Sequence, residues 1–252
     1  MANVETLPLL LKQLGLPSIY SHWENQATQA EKHNWTYPKY LAVLSDMEAA
    51  NRKQKRILRH IKEAKLPAGK TIDSYDFKAA GSVNSAQISA LANNTSWVKD
   101  ANNLVIFGPS GVGKTHLAAA ISYRLIEQGI RVIFTQTTLL VQKLQAARSQ
   151  YKLNELLNKL SRYQLLILDD IGYVKKDEME TNVLFELIAE RYENNSLLIT
   201  SNQAFSEWDQ IFPDNGMAVA AIDRLVHHST IINITDISYR KKQSNERKLD
   251  SL

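Results

Sequence analysis

One glycine-rich stretch constrains this chain more than any other feature: Gly108-Pro109-Ser110-Gly111-Val112-Gly113-Lys114-Thr115. It follows an apolar run at 104–107 and precedes a segment whose apolar residues recur at helical spacing. Glycines let the backbone wrap around an anion, and successive N–H groups then point inward at the positive end of the next helix. Strand, glycine loop and helix in this order predict a phosphate-binding loop.

Two side chains of this stretch have predicted roles. We expect Lys114 to reach the β- and γ-phosphates of a bound nucleotide. We expect the hydroxyl of Thr115 to bind the Mg²⁺ that accompanies these phosphates. The backbone of the whole stretch is predicted to surround the phosphates, so we count all its residues as nucleotide-binding candidates.

A second strand-like run, Leu165-Leu166-Ile167-Leu168-Asp169-Asp170, ends in two carboxylates. On its own, an apolar strand that ends this way is more typical of the start of an ordinary loop. Beside a phosphate-binding loop, Asp169 is predicted to hold Mg²⁺, directly or through water. Asp170 is then predicted to orient and polarise an attacking water, so the pair indicates nucleotide hydrolysis.

Two further polar residues lie at or near the ends of predicted elements. Asn202 comes after the apolar run at 197–201, where an amide can hydrogen-bond a γ-phosphate or the attacking water; the alternative is an ordinary turn or helix-capping asparagine. Arg224 lies near the end of a helical segment. Its two candidate roles are an arginine finger in a neighbouring subunit's site and an intrachain pair with Asp223 or another carboxylate. The residues alone favour the pair.

The order of predicted elements indicates the α/β class. Short apolar runs predict strands at 103–107, 131–135, 165–169, 197–201 and 230–234. Helical patterns occupy most of the gaps, near 115–128, 137–147, 152–162, 178–194 and 218–227. This alternation implies a parallel sheet flanked by helices on both faces, with functional residues at the carboxyl ends of its strands.

Residues 1–70 are predicted to form a small all-helical domain that precedes a nucleotide-binding domain over 71–252. Helical patterns span 4–14, 18–32 and about 38–65, and the composition of 66–75 predicts a linker. The third helix has an apolar side with Met47, Ala50, Gln54, Ile57, Leu58 and Ile61. Nearly opposite lies a basic stripe with Arg52, Lys55, Arg56, Arg59 and Lys62. Such a stripe can follow DNA phosphates or can be an ordinary solvated surface.

Composition excludes several other classes of protein. The chain has no cysteine, which excludes disulfides, thiolate zinc sites and cysteine nucleophiles. No apolar run reaches the roughly 18 residues of a membrane span, and the start lacks the basic region of a secretory signal. We therefore expect a soluble, cytoplasmic protein with no membrane partner. His116, His227 and His228 are predicted to be structural, because no suitably spaced carboxylate accompanies them.

Several short motifs together resemble one family. The phosphate-binding loop followed by His116-Leu117 resembles the initiator and helicase-loader clade of AAA+ ATPases. A narrower resemblance, to the IstB helper proteins of a bacterial insertion-sequence family, covers almost the whole chain. It rests on Leu14-Gly15-Leu16-Pro17, Thr200-Ser201-Asn202, Phe205-Ser206-Glu207-Trp208, Asp223-Arg224-Leu225, His227-His228 and Ser238-Tyr239-Arg240.

This resemblance implies more than the residues alone. It implies ATP as the nucleotide, with His116 beside the loop, and a bacterial cytoplasmic location. It implies ring-like or helical oligomers on double-stranded DNA that recruit and stimulate a cognate transposase, and it makes Arg224 a finger that acts in trans. The candidate DNA contacts are Arg52, Lys55, Arg56, Arg59, Arg148, Lys152, Lys175 and Lys176.

Two departures from the AAA+ pattern affect the prediction. Asp170 stands where many AAA+ proteins have Glu, so a modest ATPase is expected. Few residues follow the last predicted strand, so the AAA+ lid is predicted to be truncated or absent, which argues against Arg240 as a second sensor. Two alternatives stay open: a replicative helicase loader of the DnaC type, and a nucleotide-gated DNA scaffold with little turnover.

Overall fold

The computed structural model describes residues 4–172, 178–210, 215–236 and 238. Within these ranges the strands are β1 (Asn103–Phe107), β2 (Val132–Gln136), β3 (Leu165–Asp169), β4 (Ser196–Ser201) and β5 (Ser229–Asn233). The helices are α1 (Leu7–Gln13), α2 (Pro17–Lys32), α3 (Tyr37–Ala64), α4 (Ser85–Asn93), α5 (Ser96–Lys99), α6 (Lys114–Glu127), α7 (Thr137–Ser149), α8 (Leu153–Leu160), α9 (Glu178–Arg191) and α10 (Asn215–Val226). Short 3₁₀ helices span Val4–Thr6 and Phe205–Gln210. No helix in the described ranges combines the length and the apolar character that a membrane crossing demands.

The chain forms two compact units, Met1–Arg59 and His60–Leu252. In the first unit, a buried carboxylate caps a helix that is distant in sequence. Glu48 of α3 is 4% exposed and accepts hydrogen bonds from the N–H groups of Ser18 at 2.8 Å and Ile19 at 3.2 Å, in the first turn of α2. Burial acts to raise the pKa of Glu48, but hydrogen bonds from Arg52 and these two N–H groups lower it below its ordinary value. Glu48 therefore satisfies N–H groups that the helix itself cannot.

The core side of α3 in this unit differs from the predicted apolar side. Ala50, Gln54 and Leu58 are exposed, whereas Leu44 and Glu48 are buried. Met47, Ile57 and Ile61 of the predicted apolar side are half-buried. The most buried positions thus include a hydrogen-bonded carboxylate, which an apolar pattern does not single out.

In the second unit, the strands of the described residues form one parallel sheet in the order β2-β3-β4-β1-β5. Phe107 of β1 pairs with Ser201 of β4, and Leu168 of β3 pairs with Ile199 of β4. Parallel pairing in this register brings the carboxyl ends of β1, β3 and β4 to one edge of the sheet. The predicted α/β fold class is confirmed.

Both faces of the sheet are covered by helices. Alternate residues of the central strands, such as Val105, Leu166 and Leu197, share a buried core with residues of α7, α9 and α10. The intervening residues point to the other face, and α6 contacts β1 and β4. Every residue of β1, β3 and β4 is buried, as is typical of parallel strands.

The predicted strands agree with the observed ones to within one residue at each end. The prediction missed α4 and α5, which are short. The sequence does carry a start signal for α4, because the Asn84 side chain accepts hydrogen bonds from the N–H groups of Ala86 and Gln87. The boundary predicted at residue 70 stays a prediction.

A buried arginine joins several elements of the second unit. Arg191, at the end of α9, is 2% exposed, and burial lowers its pKa to about 9. Its guanidinium donates hydrogen bonds of 2.8 to 3.3 Å to the carbonyls of Leu160, Tyr163, Gln164 and Ser196. One side chain thereby connects three parts of the unit by hydrogen bonds. These are the end of α8, the two residues before β3 and the first residue of β4.

Replacing Arg191 by Met is expected to lower the free energy of unfolding by about 3 kcal/mol, because it leaves buried carbonyls without donors. Urea unfolding followed by circular dichroism measures this loss. The matched control is Arg162→Met at an exposed position, which is expected to change stability by less than ~0.5 kcal/mol. Equal unfolding midpoints for the two variants would contradict the joining role of Arg191.

Candidate functional site

The glycine loop lies between β1 and α6, as predicted, and its shape requires glycine at two positions. Gly108 has φ +152°, and a Cβ added there would lie 2.5 Å from the carbonyl oxygen of Ile234. Gly113 has φ +99°, and its added Cβ would lie 2.9 Å from the ring of Tyr75. Other residues at these positions would be strained and would collide with their neighbours.

Lys114 begins α6 and is 5% exposed. Its Nζ donates hydrogen bonds to the carbonyls of Gly108 at 2.8 Å and Pro109 at 3.0 Å. The ammonium group therefore lies against the first residues of the loop, inside the concave side that the loop forms.

The carboxylate of Asp169 connects the loop helix with two strands. The hydroxyl of Thr115 donates to it at 3.0 and 3.1 Å, and the hydroxyl of Thr200 donates to Oδ1 at 2.7 Å. Burial raises the pKa of Asp169 above its ordinary value, and the charge of Asp170 acts the same way, whereas the two hydroxyl hydrogen bonds oppose the rise. The structure thus brings together the hydroxyl and the carboxylate predicted to hold Mg²⁺, and both are oxygen ligands of the kind this ion prefers.

Asp170 and Asn202 lie at the same edge of the sheet. Asp170 has φ +55°, and its N–H donates to the Thr200 hydroxyl at 2.9 Å. Asn202 is exposed, and its Oδ1 lies 3.1 Å from a Cβ built on Gly172. Thr200 was not singled out from the sequence, although it lies in the Thr200-Ser201-Asn202 motif; its contacts depend on how β3 and β4 pair.

A cavity of about 450 Å³ opens over the glycine loop. Its lining includes loop residues, Lys114, Thr115, His116 and Asp170. The rest of the lining, which the prediction missed, comes from elsewhere in the chain: Lys70, Ser74, Tyr75, Asp76, Ala79, Ala80 and Asp236. Asn202 is not among the described residues that line this cavity.

The segment predicted to be a linker is part of this cavity. Nε2 of His116 lies 2.9 Å from the carbonyl oxygen of Thr71 and 3.2 Å from Oγ of Ser74. The ring of Tyr75 packs edge-on against His116, with centroids 5.2 Å apart. The prediction of a simple linker is therefore wrong at these residues, because they fold onto the start of α6.

Tyr75 of this segment has a buried side chain with a perturbed pKa. Its hydroxyl is buried and has no hydrogen-bond partner among the described residues. Burial, followed by the charges of Asp236 and Asp76, raises the pKa of Tyr75 to about 12. A neutral phenol thus lies beside Gly113 at physiological pH.

Residues after β5 contribute to the cavity lining and are fixed by hydrogen bonds. Asp236 accepts hydrogen bonds from the N–H and the hydroxyl of Ser82, and the N–H of Thr235 donates to the same hydroxyl at 3.1 Å. The N–H of Ile234 donates to the carbonyl of Phe107 at 2.9 Å, just before the loop. The segment around Ser82, the loop and the end of β5 therefore form one hydrogen-bonded assembly.

Arg224 lies on α10, away from the lining of this cavity. Its Nη1 donates to the carbonyl of Ala220 at 3.0 Å, and its guanidinium lies 5.2 Å from the ring centroid of Phe185. It lines a surface depression of about 630 Å³ with Tyr192, Gly216, Val219, Ala220 and Asp223. The structure does not bring Arg224 to the glycine loop of its own chain.

The basic residues predicted to contact DNA are in varied surroundings. Arg52 donates to Glu48 at 3.0 Å and to the carbonyl of Gly15 at 2.9 Å, so it fixes the turn between α1 and α2. Arg148 forms an ion pair with Glu186 at 3.0 Å. The remaining described candidates are exposed: Lys55, Arg56, Arg59 and Lys152. Two predicted DNA contacts, Lys175 and Lys176, lie outside the described residues, as does Arg240, which was considered as a second sensor.

Solved structures share the fold of this chain. The DnaC helicase loader has a TM-score of 0.54 and 21% identity, with coverage of 66% of this chain and 97% of that one. DnaA from Aquifex aeolicus, bound to AMPPCP, has a TM-score of 0.55 and 22% identity, with coverage of 75% and 57%. These likenesses show that this chain shares the fold of DnaC and DnaA over about two thirds to three quarters of its length.

Sequence relatives are more specific. The insertion sequence ATP-binding protein y4iQ/y4nD/y4sD of Sinorhizobium fredii is 49% identical over 96% of this chain and 81% of its own length. The IS21 ATP-binding protein of Pseudomonas aeruginosa is 35% identical over 95% of this chain and 90% of its own length. The sequence profile of the IstB-like ATP binding proteins matches residues 9–247. The chain therefore belongs to the IstB-like ATP binding protein family, as its motifs indicated.

Proposed function

We propose that this protein is an ATP-dependent DNA-binding helper of transposition. It oligomerises on duplex target DNA, recruits and stimulates the cognate transposase, and uses ATP hydrolysis to control disassembly. The observation that carries the proposal is the meeting of Thr115 and Asp169 beside the glycine loop, in a chain whose relatives are insertion sequence ATP-binding proteins.

The residues of the cavity divide into groups by the part of ATP that they suit. The loop N–H groups and Lys114 suit the phosphates, because they combine a backbone anion site with a positive charge held against the loop. Tyr75, Ala79 and Ala80 add an aromatic and apolar surface at the same cavity, which suits the adenine base. His116 holds this surface against the start of α6 through the Thr71 carbonyl.

The metal site consists of Thr115 and Asp169, whose oxygens already lie within hydrogen-bond distance of each other. Bound Mg²⁺ supplies charge neutralisation at the β- and γ-phosphate oxygens. Thr200 holds the Asp169 carboxylate from the side of β4 and also accepts the N–H of Asp170. We assign Thr200 a positioning role, since it acts on both carboxylate residues at once.

Asp170 is the proposed residue that orients the attacking water, because it lines the cavity and its backbone is fixed by Thr200. Asn202, on the neighbouring strand end, is the proposed sensor of the γ-phosphate. Its exposed position at the sheet edge lets its amide contact a ligand that extends beyond the loop.

Arg224 is proposed to complete the site of a neighbouring subunit. It lies outside the cavity lining of its own chain and borders an open depression on α10. A residue that acts in trans requires an interface between subunits, and we propose a head-to-tail interface, which generates rings or open helical filaments. The ring or filament is therefore the proposed active form.

The exposed basic residues on α3 and at the start of α8 are the proposed DNA contacts. Their charge suits the phosphate backbone and gives binding without sequence preference. Lys55, Arg56, Arg59 and Lys152 have exposed side chains. Arg52 and Arg148 already contact carboxylates within the chain, so they are weaker candidates than these four.

Fluorescence anisotropy at fixed salt is expected to show tight binding to duplex DNA with ATP, and weak binding with ADP or without nucleotide. Affinity is expected to increase with duplex length, because subunits assemble side by side on DNA. A preference for single strands, or no DNA binding until a replicative helicase is added, would instead support the helicase loader.

Asp170→Asn is expected to reduce ATP hydrolysis by about 10²–10⁴-fold, because an amide cannot accept the proton of the attacking water. Phosphate release at saturating duplex DNA measures the rate, and nucleotide binding should remain. The matched control is Asp73→Asn, an exposed residue outside the cavity lining. Unchanged phosphate release in Asp170→Asn would favour a nucleotide-gated scaffold with little turnover.

Arg224→Ala is expected to reduce hydrolysis by about 10³–10⁵-fold while nucleotide binding is spared, because the finger stabilises only transition-state charge. Mixing Arg224→Ala with Lys114→Ala subunits tests action in trans. The mixture creates interfaces in which an intact loop meets an intact finger, so partial activity should return. Absence of any return would count against action in trans.

A further inference from the structure

Three side chains with metal-binding chemistry meet at one exposed corner of the second unit. Glu193, His227 and His228 each offer one ligand atom, and these atoms all lie within 4.8 Å of one another. Glu193 follows α9 and the two histidines follow α10, and these helices pack together. The expectation that no carboxylate accompanies the histidines is therefore wrong, because the carboxylate comes from a different helix end.

A tyrosine lies against one of these three groups. The hydroxyl of Tyr192 lies 3.0 Å from Nδ1 of His227. This phenol thus orients an imidazole, as the supporting residues around metal ligands commonly do.

The backbone that carries the histidines is held by a buried asparagine. The N–H of Asn103 donates to the carbonyl of His228 at 2.7 Å, and its side-chain Nδ2 donates to the carbonyl of Leu225 at 3.2 Å. Its Oδ1 accepts the N–H of Leu197 at 2.8 Å. The histidine pair is therefore fixed to the starts of β1 and β4.

The backbone that carries the carboxylate is held in a similar way. Glu193 has φ +58°, and the next two N–H groups, of Asn194 and Asn195, donate to the carbonyl of Arg191 at 3.1 and 2.9 Å. Arg191 is itself fixed by its buried guanidinium. The backbone of Glu193 and the backbone of the two histidines are thus both fixed by hydrogen bonds, which is what a preformed site requires.

We propose that Glu193, His227 and His228 bind a divalent transition metal ion of the zinc class. Two imidazoles and one carboxylate are a ligand set that Zn²⁺ accepts, with a fourth position open to water or a partner group. Ligand bonds of about 2.0–2.2 Å place the atoms around tetrahedral zinc roughly 3.3–3.6 Å apart. Small rotations of these exposed side chains bring them to that spacing.

This site is distinct from the proposed Mg²⁺ site in place and in chemistry. None of its three residues is among those that line the cavity over the glycine loop. Mg²⁺ prefers oxygen ligands, whereas imidazole nitrogens suit zinc and its neighbours. The N–H of His227 donates to the carbonyl of Asp223 at 3.0 Å, so the ion lies beside the helical turn that carries Arg224.

The test is a titration of Co²⁺ into the full chain, free of any affinity tag, in excess Mg²⁺. Visible absorption reports Co²⁺ bound to nitrogen ligands, and added Zn²⁺ should displace it. We expect one ion per chain, with affinity reduced at least about 10-fold in His228→Ala and in Glu193→Gln. These side chains are exposed, so both variants should retain the native circular dichroism spectrum.

The matched control is His33→Ala, an exposed histidine of the first unit, which should bind Co²⁺ as the unaltered chain does. Tyr192→Phe should weaken binding less than loss of a ligand does, because it removes only the orienting hydroxyl. The proposal is overturned if the unaltered chain takes up no Co²⁺ in excess Mg²⁺. It is equally overturned if His228→Ala and Glu193→Gln bind as tightly as the unaltered chain.

Discussion

The carboxylate of Asp169 is the point on which the functional edge of the sheet depends. It is 5% exposed, and burial raises its pKa, so the fold must stabilise an ionisable group that has little contact with water. Hydroxyls from α6 and β4, those of Thr115 and Thr200, provide that stabilisation. Because one carboxylate accepts both hydrogen bonds, the loop helix and two strands keep a fixed spacing where the proposed reaction occurs.

At the same edge of the sheet, residues outside the sequence motifs also shape the site. The loop motif provides a cradle for an anion, yet Tyr75 lies against Gly113 and the carbonyl of Ile234 lies against Gly108. Both glycines are therefore required by neighbours from distant parts of the second unit, in addition to any ligand. A substitution at Gly113 would disturb the loop and the cavity wall at Tyr75, and one at Gly108 would disturb the loop and the end of the segment after β5.

Much of the fold was predictable, because continuous apolar runs in parallel strands leave a strong signal, and Asp169 and Asp170 follow such a run. Residues that act through tertiary contacts were not predictable. Tyr75 sits in a segment whose composition indicates a linker, and Glu193 is far in sequence from His227. Glu48 was missed because its charge argues against the buried position that its hydrogen bonds make possible.

The position of β1 in the sheet has a consequence for biosynthesis. β1 pairs with β4 and β5, both of which are translated much later than the glycine loop that follows β1. The loop also needs the Ser201 carbonyl for the N–H of Gly108, and residue 234 for its outer wall. When the glycine-loop sequence has just been synthesised, the chain cannot yet form the loop's final geometry. The reason is that β1 pairs with β4 and β5, which are far away in sequence. The shape of the loop therefore depends on residues 229–234, which are synthesised more than 100 residues after it.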